Sequence, residues 1–243
     1  MPSSNFAFAA LAVLAAYLIG SLSFAIIVSR ILGLRDPRTY GSGNPGATNV
    51  LRSGNRGAAG LTLLLDALKG YVPVLLVQML GERFGLGHGT EAGAALAAFL
   101  GHLWPVFFKF HGGKGVATAG GAIFGLNPVL GLATLLTWVI VAAFFRYASL
   151  AAIVCAVFAP FYQLLIWGGG APAFAVTVMG LLLIWRHSAN LHKLFKGTES
   201  KIGQGRAHSA EPGHSRPAEH ATHAQPRPHP HAHKHSHKRG SKR

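Results

Sequence analysis

Charge is scarce in this chain. Only 12% of its 243 residues are Asp, Glu, Lys or Arg, where an ordinary soluble domain carries about 25%, so a water-facing globule fits poorly. Cysteine is scarcer still. Cys155 is the only one, which excludes an intrachain disulfide, and its place inside an apolar run reads as a small buried hydrophobe. The N-terminus lacks the charged stretch that opens a secretory signal. Its apolar run from Phe6 to Val28 outlasts a signal core, so it reads as a retained span. Basic residues are not interleaved with aromatics on a soluble segment, so nucleic acid is not expected as a partner.

Apolar residues make up 50% of the chain, and 31 glycines accompany them. Long apolar runs with many small residues point to membrane helices packed closely together. A span needs roughly 20 apolar residues. The candidates are Phe6–Val28, Leu61–Leu80, Ala92–Phe108, Val116–Phe145, Leu150–Trp167 and Ala171–Trp185. The fourth is too long for one crossing, and Asn127-Pro128 sits near its middle. Proline lacks the N–H a helix needs and disfavours helix at the residue before it. Two spans, Val116–Leu126 and Pro128–Phe145, are therefore predicted, and the fold class is an all-α membrane bundle of about seven transmembrane helices. Charge bias gives the same count. Arg30, Arg35, Arg38, Arg52 and Arg56 crowd the first connection, Lys109 and Lys114 the third, and Arg186 follows the last run. Positive loops face the cytoplasm, which places the N-terminus outside and the C-terminus inside.

Two parts are expected: a membrane domain over residues 1–202 and a tail over residues 203–243. Nine Lys and Arg follow Ser200 against two Glu. The tail is rich in His, Pro and Ala and poor in large apolar side chains, a composition that does not offset chain entropy by burial. It reads as disordered. Its run from His229 to His237 reads as solvated, with opportunistic metal binding as the alternative.

Three polar segments fall on the cytoplasmic side of this topology. In the first, residues 41–52, Gly43, Asn44 and Thr48 are candidate ligand contacts and Ser42 and Arg52 candidate catalytic groups. Glycines there let backbone amides turn toward a phosphate, and Arg52 can add a charge-assisted contact. The Gly-Lys-Ser/Thr ending of a Walker loop is missing. A flexible glycine-rich connector would have the same composition. In the second, residues 101–118, Lys114 stands among Gly112, Gly113 and Gly115, a flexible cation with unobstructed amides. A snorkelling interfacial lysine is the alternative, and His102 reads equally as a satisfied core histidine. In the third, residues 186–199, His187 and Asn190 share a helical face at i, i+3 and can grip a polyol. Lys193 and Lys196 read as facing anionic lipid, and Glu199 can orient a basic partner. Within the second run Asp66 and Lys69 are spaced to pair, which reads as structural. Ser149 follows a turn after Arg146 and can donate to a phosphate oxygen.

Taken together, these stretches resemble the bacterial acyl-phosphate-dependent glycerol-3-phosphate acyltransferase family. The resemblance rests on residues 41–52, 66–70, 101–107, 111–118, 146–150, 186–190 and 197–199, in the family's order. It implies a seven-span inner-membrane enzyme that makes lysophosphatidic acid from acyl phosphate and glycerol 3-phosphate, without acyl-CoA or acyl carrier protein. It also implies that Ser42, Arg52, Lys114, Ser149, His187, Asn190 and Glu199 occupy active-site positions. The sequence agrees in having no His-x4-Asp pair. It departs from the family in reading His-Ser-Ala-Asn over residues 187–190, where a charged residue usually lies between His and Asn, and in its long tail.

The implied task is to hold two anions that repel each other. Arg52 and Lys114 are expected to supply the charge, with the amides of residues 42–44 and 112–115 as neutral donors. His187 and Asn190 are assigned to glycerol 3-phosphate, and Ser42 and Ser149 to the acyl-phosphate head. The proton is expected to leave on a donor phosphate oxygen, with His187 as the alternative base. Membrane lipids are the surroundings, and neither cofactor nor metal site is called for. An organic-phosphate transporter is the rival reading. Transporters usually show paired interrupted spans, whereas the sequence shows one broken run and no internal repeat.

Overall fold

The computed structural model describes residues 3–203. Among them no strand occurs, and the chain runs through α1 (Ser3–Gly20), α2 (Phe24–Ile31), α3 (Ala47–Leu51), α4 (Arg56–Phe84), α5 (His88–Leu103), α6 (Val116–Leu126), α7 (Pro128–Phe145), α8 (Ala148–Tyr162), α9 (Ala171–Arg186) and α10 (Ser188–Phe195). A 3₁₀ turn, Val106–Phe108, follows α5, and a π-helical turn, Gln163–Trp167, extends α8. The tail after residue 203, including His229 to His237, lies outside the described residues.

Four helical segments are long and apolar enough to cross a bilayer alone: 56–84, 88–108, 128–145 and 148–167. The pairs α1–α2 and α9–α10, bent by 45° and 57°, each pass together, and α6 is a shorter apolar helix. Together they make up to six spans, with the eleven-residue α6 packed beside them, close to the expected seven. The break expected at Asn127-Pro128 is present, with α6 ending and α7 beginning at the expected residues. Asn127 is extended, and its Oδ1 accepts from the Val129 and Leu130 amides at 2.9 and 3.1 Å. A helix cap of this kind satisfies donors that a first turn leaves open.

The bundle is packed through small residues. A Cβ on Gly20 would strike the Ala98 carbonyl, one on Gly101 the Tyr17 carbonyl, and one on Gly121 the Ala67 carbonyl. Backbone therefore lies on backbone between α1 and α5 and between α4 and α6, as in membrane interfaces built from small side chains. Large apolar groups point outward instead: Leu136, Ile140 and Phe144 on α7 are all exposed. So much outward apolar surface exceeds what a soluble monomer carries and matches lipid as the solvent.

The first apolar run differs from its expected form. A single helix over Phe6–Val28 is replaced by two, parted at Ser21–Ser23. Ser21 Oγ bonds back to the Tyr17 carbonyl at 2.8 Å, a contact that bends helices. The Leu22 carbonyl, released from the ladder, accepts from Lys69 Nζ at 2.6 Å. Lys69 in turn pairs with Asp66 at 2.8 Å, both side chains buried, so the expected i, i+3 pair forms. An ion pair away from water holds only when its remaining hydrogen-bonding capacity is also used, and the broken span supplies that acceptor.

Candidate active site

The first loop is built around one side chain. Asn49, only 2% exposed, donates from Nδ2 to the Pro37 and Tyr40 carbonyls at 2.6 and 3.2 Å. Its Oδ1 accepts from the Ser42 amide at 3.0 Å. Gly41 and Gly43 turn at φ 62° and 68°, a region that glycine enters without cost. The Gly43 amide donates to the Tyr40 carbonyl at 2.9 Å, and the Asn44 amide points to Ser42 Oγ at 3.4 Å. The amides of residues 42–44, expected to face a ligand, are thus turned inward on the loop itself. What the loop offers outward is the exposed Ser42 side chain and Arg52, which lies against Gly41. Thr48 is exposed on α3 and joins no hydrogen bond with the other candidates.

The second loop is held from both sides. The Gly113 amide donates to the His102 carbonyl at 3.2 Å. Arg186 donates to the Gly112 carbonyl at 2.9 Å and to the Gly113 carbonyl at 2.9 and 3.2 Å. Gly115 has φ 85°, and a Cβ there would strike the Phe99 ring, so only glycine fits. Among the described residues, the Gly112, Lys114 and Gly115 amides donate to no protein acceptor.

Lys114 Nζ hydrogen-bonds to Asn190 Oδ1. Asn190 Nδ2 donates to Glu199 Oε1 at 2.6 Å, and Ser149 Oγ donates to the same oxygen at 2.8 Å. Arg52 reaches this group through Ser200, next to Glu199, at 2.8 Å. Burial lowers the Lys114 ammonium to about 8, opposed by the charge of Glu199 and reinforced by Lys193, Arg52 and Arg186. His187 stands at the bend between α9 and α10, where its Nδ1 lies 2.8 Å from the Leu183 carbonyl. That contact assigns the proton to Nδ1 and leaves Nε2 as the free nitrogen. The imidazole is itself buried.

Six candidates therefore share one neighbourhood: Arg52, Lys114, Ser149, His187, Asn190 and Glu199. Gly43 and Gly112 meet across a separate opening of about 370 Å³ that Arg38, Pro45, Phe110, His111 and Arg186 also line. Gly112 lines the opening, and Lys114 of the hydrogen-bonded group follows two residues later on the same loop. Ser149 accompanies Asn190 rather than Ser42, because both donate to one carboxylate oxygen. Sequence reasoning gave no part to Arg186, Arg38 or Ser200. Arg186 stands beside His187, but its acceptors are backbone carbonyls of another loop, and no local pattern marks them.

Comparison with known proteins follows the same lines. A family model described as glycerol-3-phosphate acyltransferase matches residues 10–197. A glycerol-3-phosphate acyltransferase of Paraburkholderia phytofirmans is 61% identical over 188 residues, 77% of this chain and 88% of that one. Its counterpart in Ralstonia nicotianae is 63% identical over 190 residues, 78% and 92% of the two chains. Among solved structures, an integral membrane glycerol 3-phosphate acyltransferase in its glycerol 3-phosphate form superposes with a TM-score of 0.75 at 38% identity, covering 80% of this chain and 96% of that one. Its lysophosphatidic acid form gives 0.73 at 37%, covering 80% and 95%. With a model match across most of its length and relatives this similar, the chain belongs to the glycerol-3-phosphate acyltransferase family.

Proposed function

We propose that this protein transfers a fatty acyl group from acyl phosphate to the 1-hydroxyl of glycerol 3-phosphate, giving lysophosphatidic acid and inorganic phosphate at the bacterial inner membrane. The observation that carries the reading is the single hydrogen-bonded group Lys114–Asn190–Glu199–Ser149, with Arg52 joined to it through Ser200. Two phosphates brought into contact repel, and a site for them needs cations fixed before the substrates arrive. Lys114 and Arg52 are those cations. Ser149, His187 and Asn190 contact glycerol 3-phosphate, with Glu199 orienting Asn190 and Ser149. Ser42, Thr48 and the turns carrying Gly43, Asn44, Gly112, Gly113 and Gly115 face the donor head.

The reaction forms one bond and breaks one. The hydroxyl oxygen of glycerol 3-phosphate attacks the acyl carbonyl carbon, the carbon–oxygen bond to phosphate breaks, and the hydroxyl proton ends on the departing phosphate. Acyl phosphate already carries a good leaving group, so no acyl-enzyme is needed. Reactants held about 3–3.5 Å apart gain most from orientation alone. The Nδ1 of His187 is already engaged with the Leu183 carbonyl, and acyl phosphate brings a basic oxygen of its own beside the hydroxyl, which supports proton transfer to the donor's own phosphate.

The glycerol 3-phosphate and lysophosphatidic acid forms of the solved relative support the acceptor and the product. Positive loops support a cytoplasmic face for the site, and the acyl chain enters from the bilayer. Purified protein in lipid, given palmitoyl phosphate, should release inorganic phosphate only when glycerol 3-phosphate is added. Release without acceptor, or none with it, overturns the reading.

A further inference from the structure

We propose that Arg186 is a positioning residue for this reaction, acting through the Gly112–Gly113 turn and not by contact with substrate; the inference rests on the function proposed above. Its guanidinium uses Nε and one terminal nitrogen on the carbonyls of two successive residues, with contacts of 2.9 to 3.2 Å. The opposite side of the same turn is fixed by His102. Its carbonyl accepts the Gly113 amide at 3.2 Å, and a Cβ on Gly113 would strike its Nε2 and come within 3.0 Å of the Pro45 carbonyl.

His102 is itself immobilised. Its Nδ1 lies 3.0 Å from Thr118 Oγ1 and 3.7 Å from Asp66, all three residues buried. The turn is therefore gripped between a buried polar cluster and one guanidinium. With the Gly113 carbonyl drawn to Arg186, the peptide plane it shares with the Lys114 amide has one orientation, and that unspent amide points away from the guanidinium. The next residue is Lys114. Arg186 also adjoins His187 at the α9–α10 bend, so the one side chain locks together the two segments that carry Lys114 and Asn190. A guanidinium bridges two carbonyls through its planar fork, and a lysine ammonium does not reproduce that geometry. A direct anion contact, by contrast, would tolerate the exchange.

The experiment compares wild type, Arg186→Lys and Arg186→Gln, purified in lipid and matched for elution and melting temperature. Two readings are taken. Hydrogen–deuterium exchange at the Gly113 amide, which is bonded to the His102 carbonyl, should rise about ten-fold in both variants as the turn is released. Steady-state kinetics with palmitoyl phosphate and glycerol 3-phosphate should show kcat falling about 100-fold, the scale of a 1 Å misplacement, with both KM values within about three-fold of wild type. Unchanged exchange in Arg186→Gln overturns the proposal. So does near-full turnover in Arg186→Lys, or a loss confined to KM, since either marks a direct anion contact. Should wild type itself fail to transfer the acyl group, the functional reading falls, while exchange still decides whether Arg186 holds the turn. If Arg186→Gln does not fold, Arg186→Lys keeps the charge and decides alone.

Discussion

The two glycine turns solve the same problem in opposite ways. The turn at residues 41–46 is held by its own neighbour, since Asn49 binds Ser42, Pro37 and Tyr40 and the turn's amides bond within the turn. The turn at residues 112–115 is held by groups far away in sequence, Arg186 outside and His102 inside, and three of its amides remain unspent. A turn that satisfies itself presents side chains. A turn satisfied from outside can present its backbone. On this contrast the first turn delivers Ser42 and Arg52, and the second delivers amides together with Lys114.

The contrast can be broken most severely at its cations. Lys114→Ala and Arg52→Ala should each lower kcat/KM by 10²–10³ or more, about the loss seen when a transition-state donor is removed, while the protein extracts and elutes as wild type. Full activity in either variant would remove that turn from the site. Next in size is the self-held turn. Asn49→Ala leaves carbonyls and an amide without their partner, at about 1–3 kcal/mol, and the melting temperature should drop by about 2–4 °C per kcal/mol. A variant that melts as wild type would show that the turn does not depend on Asn49.

A smaller effect sharpens the electrostatics. Lys114 is charged below about 8, so kcat/KM should fall as pH rises through that value. Glu199 favours the charged form, and Glu199→Gln should shift the alkaline limb to lower pH; an unmoved limb would detach Glu199 from Lys114. Stability runs the other way. The lysine's value is below its ordinary 10.5, so the buried charge costs stability below about pH 8, and the cost is relieved as pH rises from there towards 10.5. The smallest effect belongs to the tail: ending the chain after Gly203 should leave turnover unchanged, and a large loss would give the tail a part in catalysis.

Local signals were the legible ones. Asn127-Pro128 announces the α6–α7 break because a cap and a missing N–H act on adjacent residues, and the Asp66–Lys69 pair follows from helical spacing alone. The parting at Ser21–Ser23 was not legible, since the acceptor freed at Leu22 is claimed by Lys69, 47 residues on. Nor was the inward direction of the amides at residues 42–44, because a glycine-rich run has the same composition whether its donors point in or out. The three polar segments were readable as candidates. That Ser149 would join Asn190 on one oxygen of Glu199 depends on how α8 meets the segment after α10, and neither segment encodes that meeting alone.

The shortness of α6 bears on how a greasy substrate is met. Eleven residues rise about 16 Å, roughly half of a hydrocarbon layer about 30 Å thick. Its first turn lies against Gly70 of α4, a helix that began at Arg56, about 20 Å away at 1.5 Å per residue. Lys114, two residues before α6, is thereby set back from the end of the bundle at which α4 begins. On the function proposed above, the acyl donor arrives sideways from the bilayer, and the small, soluble acceptor is the partner that must descend.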